Sequence, residues 1–368
     1  MVLIVDISPL PWIERDIKRS AQDKRCEAKG KRSVGPGNMS EMLAAVQAFV
    51  AAYTSMERQA ALIIIGVADQ ETAVLYPRKD ALQAWLDHPE SFSPAVIDIP
   101  SNLLSGVSEL TARAAQKAST KLQAQEQSPS HSTEPADQSS RQGAMASAVS
   151  RALCLINRIM VATQASGGIS ALHATHYLQR SEDDSIVAMM GSSNKGGNSA
   201  KKTSSSAGSV WSPRIFCVQA SEDRGRDYNA MMNNAFCASQ QNIVIDGCFV
   251  TAGADPNHSP SSAFLEQVCD LTGGLYLAPP CPAQVGSMLT EVLLSVFLPR
   301  VDCRPAMQLP GIDSVDFRAR CFETAEMIDL GHVCNQCLSI FAQNPIKNGT
   351  HCPTCQARII SPGQKKST

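Results

Sequence analysis

Val2-Leu-Ile-Val-Asp6 is an unbroken apolar run that ends in an acid and gives way to Ser8-Pro9, which predicts a strand buried on both faces and opening into a loop. Residues 61–67, Ala-Leu-Ile-Ile-Ile-Gly-Val, repeat that pattern, and a shorter strand over 72–76 is ended by Pro77. Between the two long runs, Asn38 and Glu41 have the spacing of a capping box, and Leu43, Val46, Val50 and Tyr53 follow at helical intervals, predicting a helix that ends near Arg58. Strand, helix and strand in succession predict a parallel sheet.

The same two periodicities return further on. Val149, Leu153, Ile156 and Met160 make a helical stripe over 147–161, with Arg151 and Arg158 off the stripe. Strands are predicted over 215–218 and 243–250, with a helix over 228–239 between them. Phe264, Leu265, Val268 and Leu271 mark a helix stopped by Gly273-Gly274, and 275–277 is a short strand. Val285, Met288, Leu289, Val292 and Val296 mark a last helix, closed by Pro299. The expected fold class is α/β, a doubly wound and mostly parallel sheet over residues 1–299. Two low-complexity insertions interrupt the pattern. One, near 112–143, is rich in Gln, Ser, Ala and Pro, and the other, near 191–209, in Ser, Gly, Asn and Lys.

Composition narrows the class of protein. With 368 residues and 43% hydrophobic content, the chain can bury one large core and carry a small second unit over 300–368. The longest apolar runs reach half a membrane span and the apolar start is too short for a signal peptide, so a soluble intracellular protein without membrane contact is expected. Most of the thirteen cysteines are scattered through predicted strands and helices and read as small core residues in a reducing compartment. The net charge of −2 gives no footprint for nucleic acid. Residues 15–32, with Lys18, Arg19, Lys24, Arg25, Lys29, Lys31 and Arg32, lack apolar periodicity and read as a solvated loop, so direct DNA binding is not expected.

The exception to the scatter is a pair of C-x-x-C knuckles, Cys334-Asn-Gln-Cys337 and Cys352-Pro-Thr-Cys355, with fourteen residues between them. Two such knuckles can aim four thiolates at one tetrahedral ion, and zinc is the ion this donor set suits. The surrounding segment has few apolar residues beyond Val333, Leu338, Ile340 and Phe341, so metal would supply its stability, about 10–16 kcal/mol for a structural zinc. Four thiolates leave no position for water, which makes the site structural and not hydrolytic. Redox dithiols or disulfides are the alternative, less suited to an intracellular chain. A ubiquitin ligase of the RING type needs eight ligands, and only Cys303, Cys321, His332 and His351 lie near; the two histidines read as solvated neighbours.

Asp6-Ile-Ser8 ends the first strand where von Willebrand A domains hold a divalent cation on Asp-x-Ser-x-Ser, but the third position here is Leu10. A hard cation needs several oxygen ligands, so Asp6 and Ser8 read as a degenerate site whose polar groups satisfy backbone at the turn. Asp69 and Asp246 are further strand-end acids that spacing does not place beside Asp6. No G-x-S-x-G elbow or Walker lysine loop is present, and His173 and His176 read as surface residues, so neither catalysis nor a small-molecule substrate is expected.

Residues 228–248, 269–277 and 315–321, followed by Gly331-His-Val-Cys-Asn-Gln-Cys-Leu-Ser-Ile-Phe341, closely resemble the small von Willebrand-A-like subunit of general transcription factor IIH. The resemblance covers most of the chain outside the basic segment and the two insertions. It implies a von Willebrand A fold with a degenerate cation site and a C-terminal four-cysteine zinc finger on Cys334, Cys337, Cys352 and Cys355. Where family members often carry Cys-x-Cys-His, this chain has Cys321-Phe322-Glu323-Thr324, which leaves a second metal unsupported. The implied role is that of a nuclear, non-catalytic scaffold in the core of the factor, bound chiefly to the larger von Willebrand-A and zinc subunit and supporting promoter opening and nucleotide excision repair. Another von Willebrand-A adaptor, for example a ubiquitin-binding one, is the alternative, against which the zinc module argues.

Overall fold

In a computed structural model, residues 1–27, 38–56, 61–87, 99–126, 144–165, 212–223, 227–250, 261–279, 285–309, 318–322, 327–342 and 351–357 are described. Strand β1 (Val2–Asp6) is buried along its whole length and pairs in parallel with β2 (Ile63–Ala68) on one side and β4 (Arg214–Gln219) on the other. Beyond β4 lies β5 (Val244–Phe249), also parallel, and then the two-residue β6 (Tyr276–Leu277). Beyond β2 the sheet ends in β3 (Glu71–Tyr76), the one antiparallel strand, giving the order β3-β2-β1-β4-β5-β6. This is the mostly parallel, doubly wound sheet expected from the sequence.

Side chains alternate across each strand, so the sheet divides the core in two. Leu3, Val5, Ile64, Phe216 and Val218 face α1 (Pro9–Glu27), α2 (Met39–Met56), α4 (Ile99–Glu126) and α8 (Val285–Val292). Val2, Ile4, Ile63, Ile65, Ile215, Cys217 and Ile245 face α3 (Lys79–Asp87), α5 (Ala144–Ala165), α6 (Tyr228–Gln240) and α7 (Ala263–Leu271). Helices on both faces explain why the strands read as continuous apolar runs instead of alternating ones. Among the described residues no helix is long and apolar enough to cross a membrane.

Local signals set the helix ends. Asn38 and Glu41 bond reciprocally: the Glu41 N–H donates to Asn38 Oδ1 at 2.8 Å and the Asn38 N–H to Glu41 Oε2 at 3.2 Å. Helix α7 stops because Gly273 takes φ +69° while the Gly274 N–H reaches back to Cys269 O and the Gly273 N–H to Asp270 O, a Schellman pair. Gly274 is required for a second reason. A Cβ there would lie 1.9 Å from the carbonyl oxygen of Ile245, so backbone approaches backbone only without a side chain.

Three expectations need correction. The segment predicted as a basic loop is helical through Glu27, because Trp12 and Arg15 occupy one buried helix face and an arginine on that face hid the periodicity. Residues 28–32 lie outside the described residues. The first insertion begins later than predicted, since α4 runs to Glu126 with Leu103, Val107, Leu110 and Ala114 buried at helical spacing within Ala- and Ser-rich sequence; 127–143 lie outside the described residues. Asp246 is not a strand-end acid but the third residue of β5. The second insertion, 191–209, and His173 and His176 also lie outside the described residues.

After α8 the chain makes a wider turn over Leu293–Phe297 and a 3-10 turn over Val301–Ala306. Two small antiparallel pairs follow: β7 (Ala319–Arg320) with β8 (Met327–Ile328), and β9 (His332–Val333) with β10 (Ile340–Phe341).

Candidate functional site

The sulfur atoms of Cys334, Cys337, Cys352 and Cys355 all lie within 4.8 Å of one another, and among the described residues this is the group of side chains that could hold a metal ion. Cys334 and Cys355 sulfurs are 3.8 Å apart, and those of Cys337 and Cys352 3.7 Å. The two knuckles have one backbone design. The Leu338 N–H donates to Cys334 O and the Gln356 N–H to Cys352 O, each at 2.9 Å. Leu338 and Gln356, the residues after the second cysteine of each knuckle, both take φ +59°. That left-handed turn folds each C-x-x-C back on itself so that both sulfurs face inward.

The four sulfurs do not share one electrostatic environment: burial raises the Cys352 thiol, and burial together with the neighbouring cysteines raises that of Cys355. The N–H of Cys337 is the main influence that draws the Cys334 thiol down to about 7, against the opposing effect of burial. Ser339, 1% exposed, places its hydroxyl 3.1 Å from the Cys337 sulfur. Phe341 and Cys352 are buried beside Cys334, with Phe322 packed against them. Cys321 stands apart from the cluster; its buried sulfur accepts the Ala342 N–H at 3.3 Å. His332 and His351 are exposed. The core cysteines behave differently: burial pushes the Cys248 thiol up to about 12 and raises Cys217 and Cys269 as well, which marks them as inert packing groups.

The module touches the sheet domain at the first turn of α6. The Asn229 amide donates to Cys337 O at 3.3 Å, and Tyr228 lies between Phe264, 5.1 Å away by ring centroids, and Phe322, 6.3 Å away. The chain after α8 is also pinned to the sheet. Arg304, 8% exposed, donates to Asp246 Oδ2 at 2.8 Å, where Arg214 bonds the same oxygen, and Asp246 Oδ1 accepts the Leu275 N–H. Arg214 also holds the carbonyls of Phe297 and Pro299.

At the carboxyl ends of the strands, Asp6 is wholly buried and both its oxygens are engaged. Oδ1 accepts the Ser8 N–H at 3.0 Å; Oδ2 accepts the N–H groups of Ala220 and Ser221 and the Ser221 hydroxyl. Ser8 Oγ accepts the Asp69 N–H, and Asp69 itself takes φ +51°. Leu10 is 56% exposed on α1. A shallow cleft beside these groups is lined by Ser8, Asp69, Gln219, Ser221, Glu222, Asp223 and Asp227. Asp223 is committed there, accepting from the Ser262 hydroxyl and the Phe264 N–H at the start of α7. Ser221, Asp69 and Arg15 were not visible as partners of Asp6 or its loop, because they come from distant segments that only the sheet brings together.

Comparison with known proteins gives a consistent result. The family model described as "Transcription factor Tfb4" matches residues 1–356. The general transcription and DNA repair factor IIH subunit TFB4 of Arabidopsis thaliana is 36% identical over 143 residues, which is 39% of this chain and 42% of that protein. The corresponding subunit of Schizosaccharomyces pombe is 35% identical over 154 residues, 42% of this chain and 46% of that protein. General transcription factor IIH subunit 3 of Dictyostelium discoideum is 35% identical over 147 residues, 40% of this chain and 36% of that protein. The chain thus spans less than half the length of the curated relatives it matches. A crystal structure of the TFIIH p34 N-terminal domain superposes with a TM-score of 0.45 at 19% identity, covering 78% of this chain and 94% of the other.

Proposed function

The chain belongs to the Tfb4 transcription factor family, and from that premise we propose that it is a non-catalytic core subunit of general transcription factor IIH, acting in the nucleus in transcription initiation and nucleotide excision repair. The observation that carries the reading is one continuous family match from residue 1 to 356, which takes in both the sheet domain and the four-cysteine cluster. A scaffold role fits the chemistry of the strand ends, where Asp6, Ser8 and Asp223 are spent on holding backbone and on capping α7. The partners are other subunits of the factor, chiefly its larger von Willebrand-A and zinc subunit. DNA is contacted through those partners, in keeping with the net charge of −2.

The cluster of Cys334, Cys337, Cys352 and Cys355 holds one structural zinc in this reading. Zinc bonded to sulfur at about 2.3 Å in a tetrahedron sets its sulfurs about 3.8 Å apart. The 3.7 and 3.8 Å separations support that geometry and are far too long for disulfides. Bound zinc would tie the knuckles together and do no further chemistry, its four positions being filled by thiolates. The zinc module forms a second unit behind the sheet domain, with the connection running past the Arg304 anchor.

Affinity purification of the tagged native protein from nuclear extract, followed by mass spectrometry, tests the assignment. Recovery of the helicase, kinase and larger von Willebrand-A components of the factor in comparable amounts is the expected result. Proteasome or ubiquitin-conjugating components in their place would leave only the fold standing.

A further inference from the structure

The likeness of Asp6-Ile-Ser8 to the von Willebrand A cation motif would place a divalent cation at the carboxyl end of β1, and the residues there do not fit one. A hard cation needs free oxygen lone pairs converging on a point. Asp6 Oδ2 already accepts three donors and Oδ1 a fourth, all from this chain. Ser8 Oγ is occupied by the Asp69 N–H, and the third position of the motif is the hydrocarbon of Leu10.

A cation is nonetheless present, and it is covalently part of the protein. Arg15 lies one turn after Trp12 on the buried face of α1 and is 1% exposed. Its Nη2 donates to Ala220 O at 2.9 Å and to Val250 O at 2.5 Å, the carbonyls that immediately follow β4 and β5. Its guanidinium carbon stands 4.4 Å from the ring centre of Trp12, whose indole N–H in turn donates to Asp6 O at 3.2 Å. Ala220 is therefore gripped from both sides, its N–H by the Asp6 carboxylate and its carbonyl by Arg15.

We infer that Arg15 is the resident cation of this cleft. Its guanidinium answers the buried Asp6 charge across one peptide unit and fixes the ends of β1, β4 and β5, so the domain neither needs nor accepts a divalent ion. A guanidinium suits the task because one terminal nitrogen can donate to both carbonyls while the flat group lies over the indole, a planar face that a lysine ammonium lacks. The inference rests on reading Asp6 and Ser8 as a degenerate cation site and is independent of which assembly the chain joins.

The test uses the full-length, zinc-loaded chain, with melting followed as Mg²⁺ is raised to millimolar levels and Mn²⁺ binding read by electron paramagnetic resonance. Wild-type protein should show no Mg²⁺-dependent shift and no saturable Mn²⁺ signal. Arg15→Met should melt lower by roughly 5 °C or more, against a shift within about 1 °C for the exposed Arg158→Met. Should Arg15→Met fail to fold, Arg15→Lys, which keeps the charge without the planar group, should fold and melt below wild type, and a lysine variant melting with wild type would count against the inference. A saturable Mn²⁺ site in wild type that Asp6→Asn abolishes would overturn the inference, as would an Arg15→Met protein that melts with wild type.

Discussion

The Asn229 side chain on the first turn of α6 donates to the carbonyl of Cys337, one of the four clustered cysteines. The contact joins a helix of the sheet domain to the first knuckle, and with the Tyr228–Phe322 ring contact it accounts for the polar and aromatic links seen there. Both links are modest, about 0.5–1.5 kcal/mol for an aromatic pair and about 1 kcal/mol for a neutral hydrogen bond. Zinc content measured on Cys352→Ser should accordingly fall from one ion per chain to none. Calorimetry should show the module's order lost while the main heat transition drops by only about 1–6 °C. Loss of both in one step would make sheet and module a single cooperative unit.

Asp246 compensates two buried guanidinium groups, Arg214 and Arg304, with one carboxylate. Desolvation lowers the Arg214 pKa while the Asp246 charge opposes that fall, so Arg214 stays charged in a place where charge is costly. Asp246→Asn should cost about 3–5 kcal/mol in urea unfolding, because two buried cations then face each other unpaired. Asp302→Asn, at the exposed Arg300 pair, should cost under about 1 kcal/mol. Similar losses from the two variants would refute the buried-charge account.

Adjacent glycines at the end of α7 should respond differently to alanine. At Gly274 the new Cβ would overlap the Ile245 carbonyl, so backbone must move; about 2–4 kcal/mol of destabilisation is expected. At Gly273 the space is open and only the positive φ is unfavourable, a cost of about 1–2 kcal/mol. Chemical denaturation of both variants checks the order, and a larger loss at Gly273 contradicts it.

Phe216 stacks on Phe297 at 4.6 Å between ring centroids and meets Phe49 at 5.4 Å, which places it where β4, α2 and the turn after α8 converge. Phe216→Ala should lose about 3–5 kcal/mol, and Phe216→Leu under half as much. Urea midpoints within about 0.5 kcal/mol of wild type for Phe216→Ala would mean that the ring is not part of a packed core.

Legibility followed the reach of the physical signal. Strands β1, β2 and β4 were plain because helices cover both faces, leaving apolar runs, and β5 was legible despite the single acid, Asp246, at its third position. The Asn38–Glu41 box and the Gly273-Gly274 stop were plain because their partners lie within a few residues. Helix α1 was hidden by Arg15, a charge on a buried face whose carbonyl partners at 220 and 250 no local window contains. Helix α4 was hidden by its Ala, Ser and Gln background, although Leu103, Val107, Leu110 and Ala114 keep the spacing. At the candidate site, ligand spacing named the cysteines, whereas the saturation of Asp6 by Ala220 and Ser221 depends on β1 lying beside β4.

That adjacency has a temporal side. Val2 pairs with Ile63 on one edge of β1 but with Ile215 on the other. At synthesis rates of about 5–20 residues per second, the second edge of β1 waits roughly 10–40 s for its partner to be made. Throughout that interval a strand that ends up buried along its whole length carries an open row of backbone groups, and the chain depends on whatever attends it at the ribosome until β4 arrives.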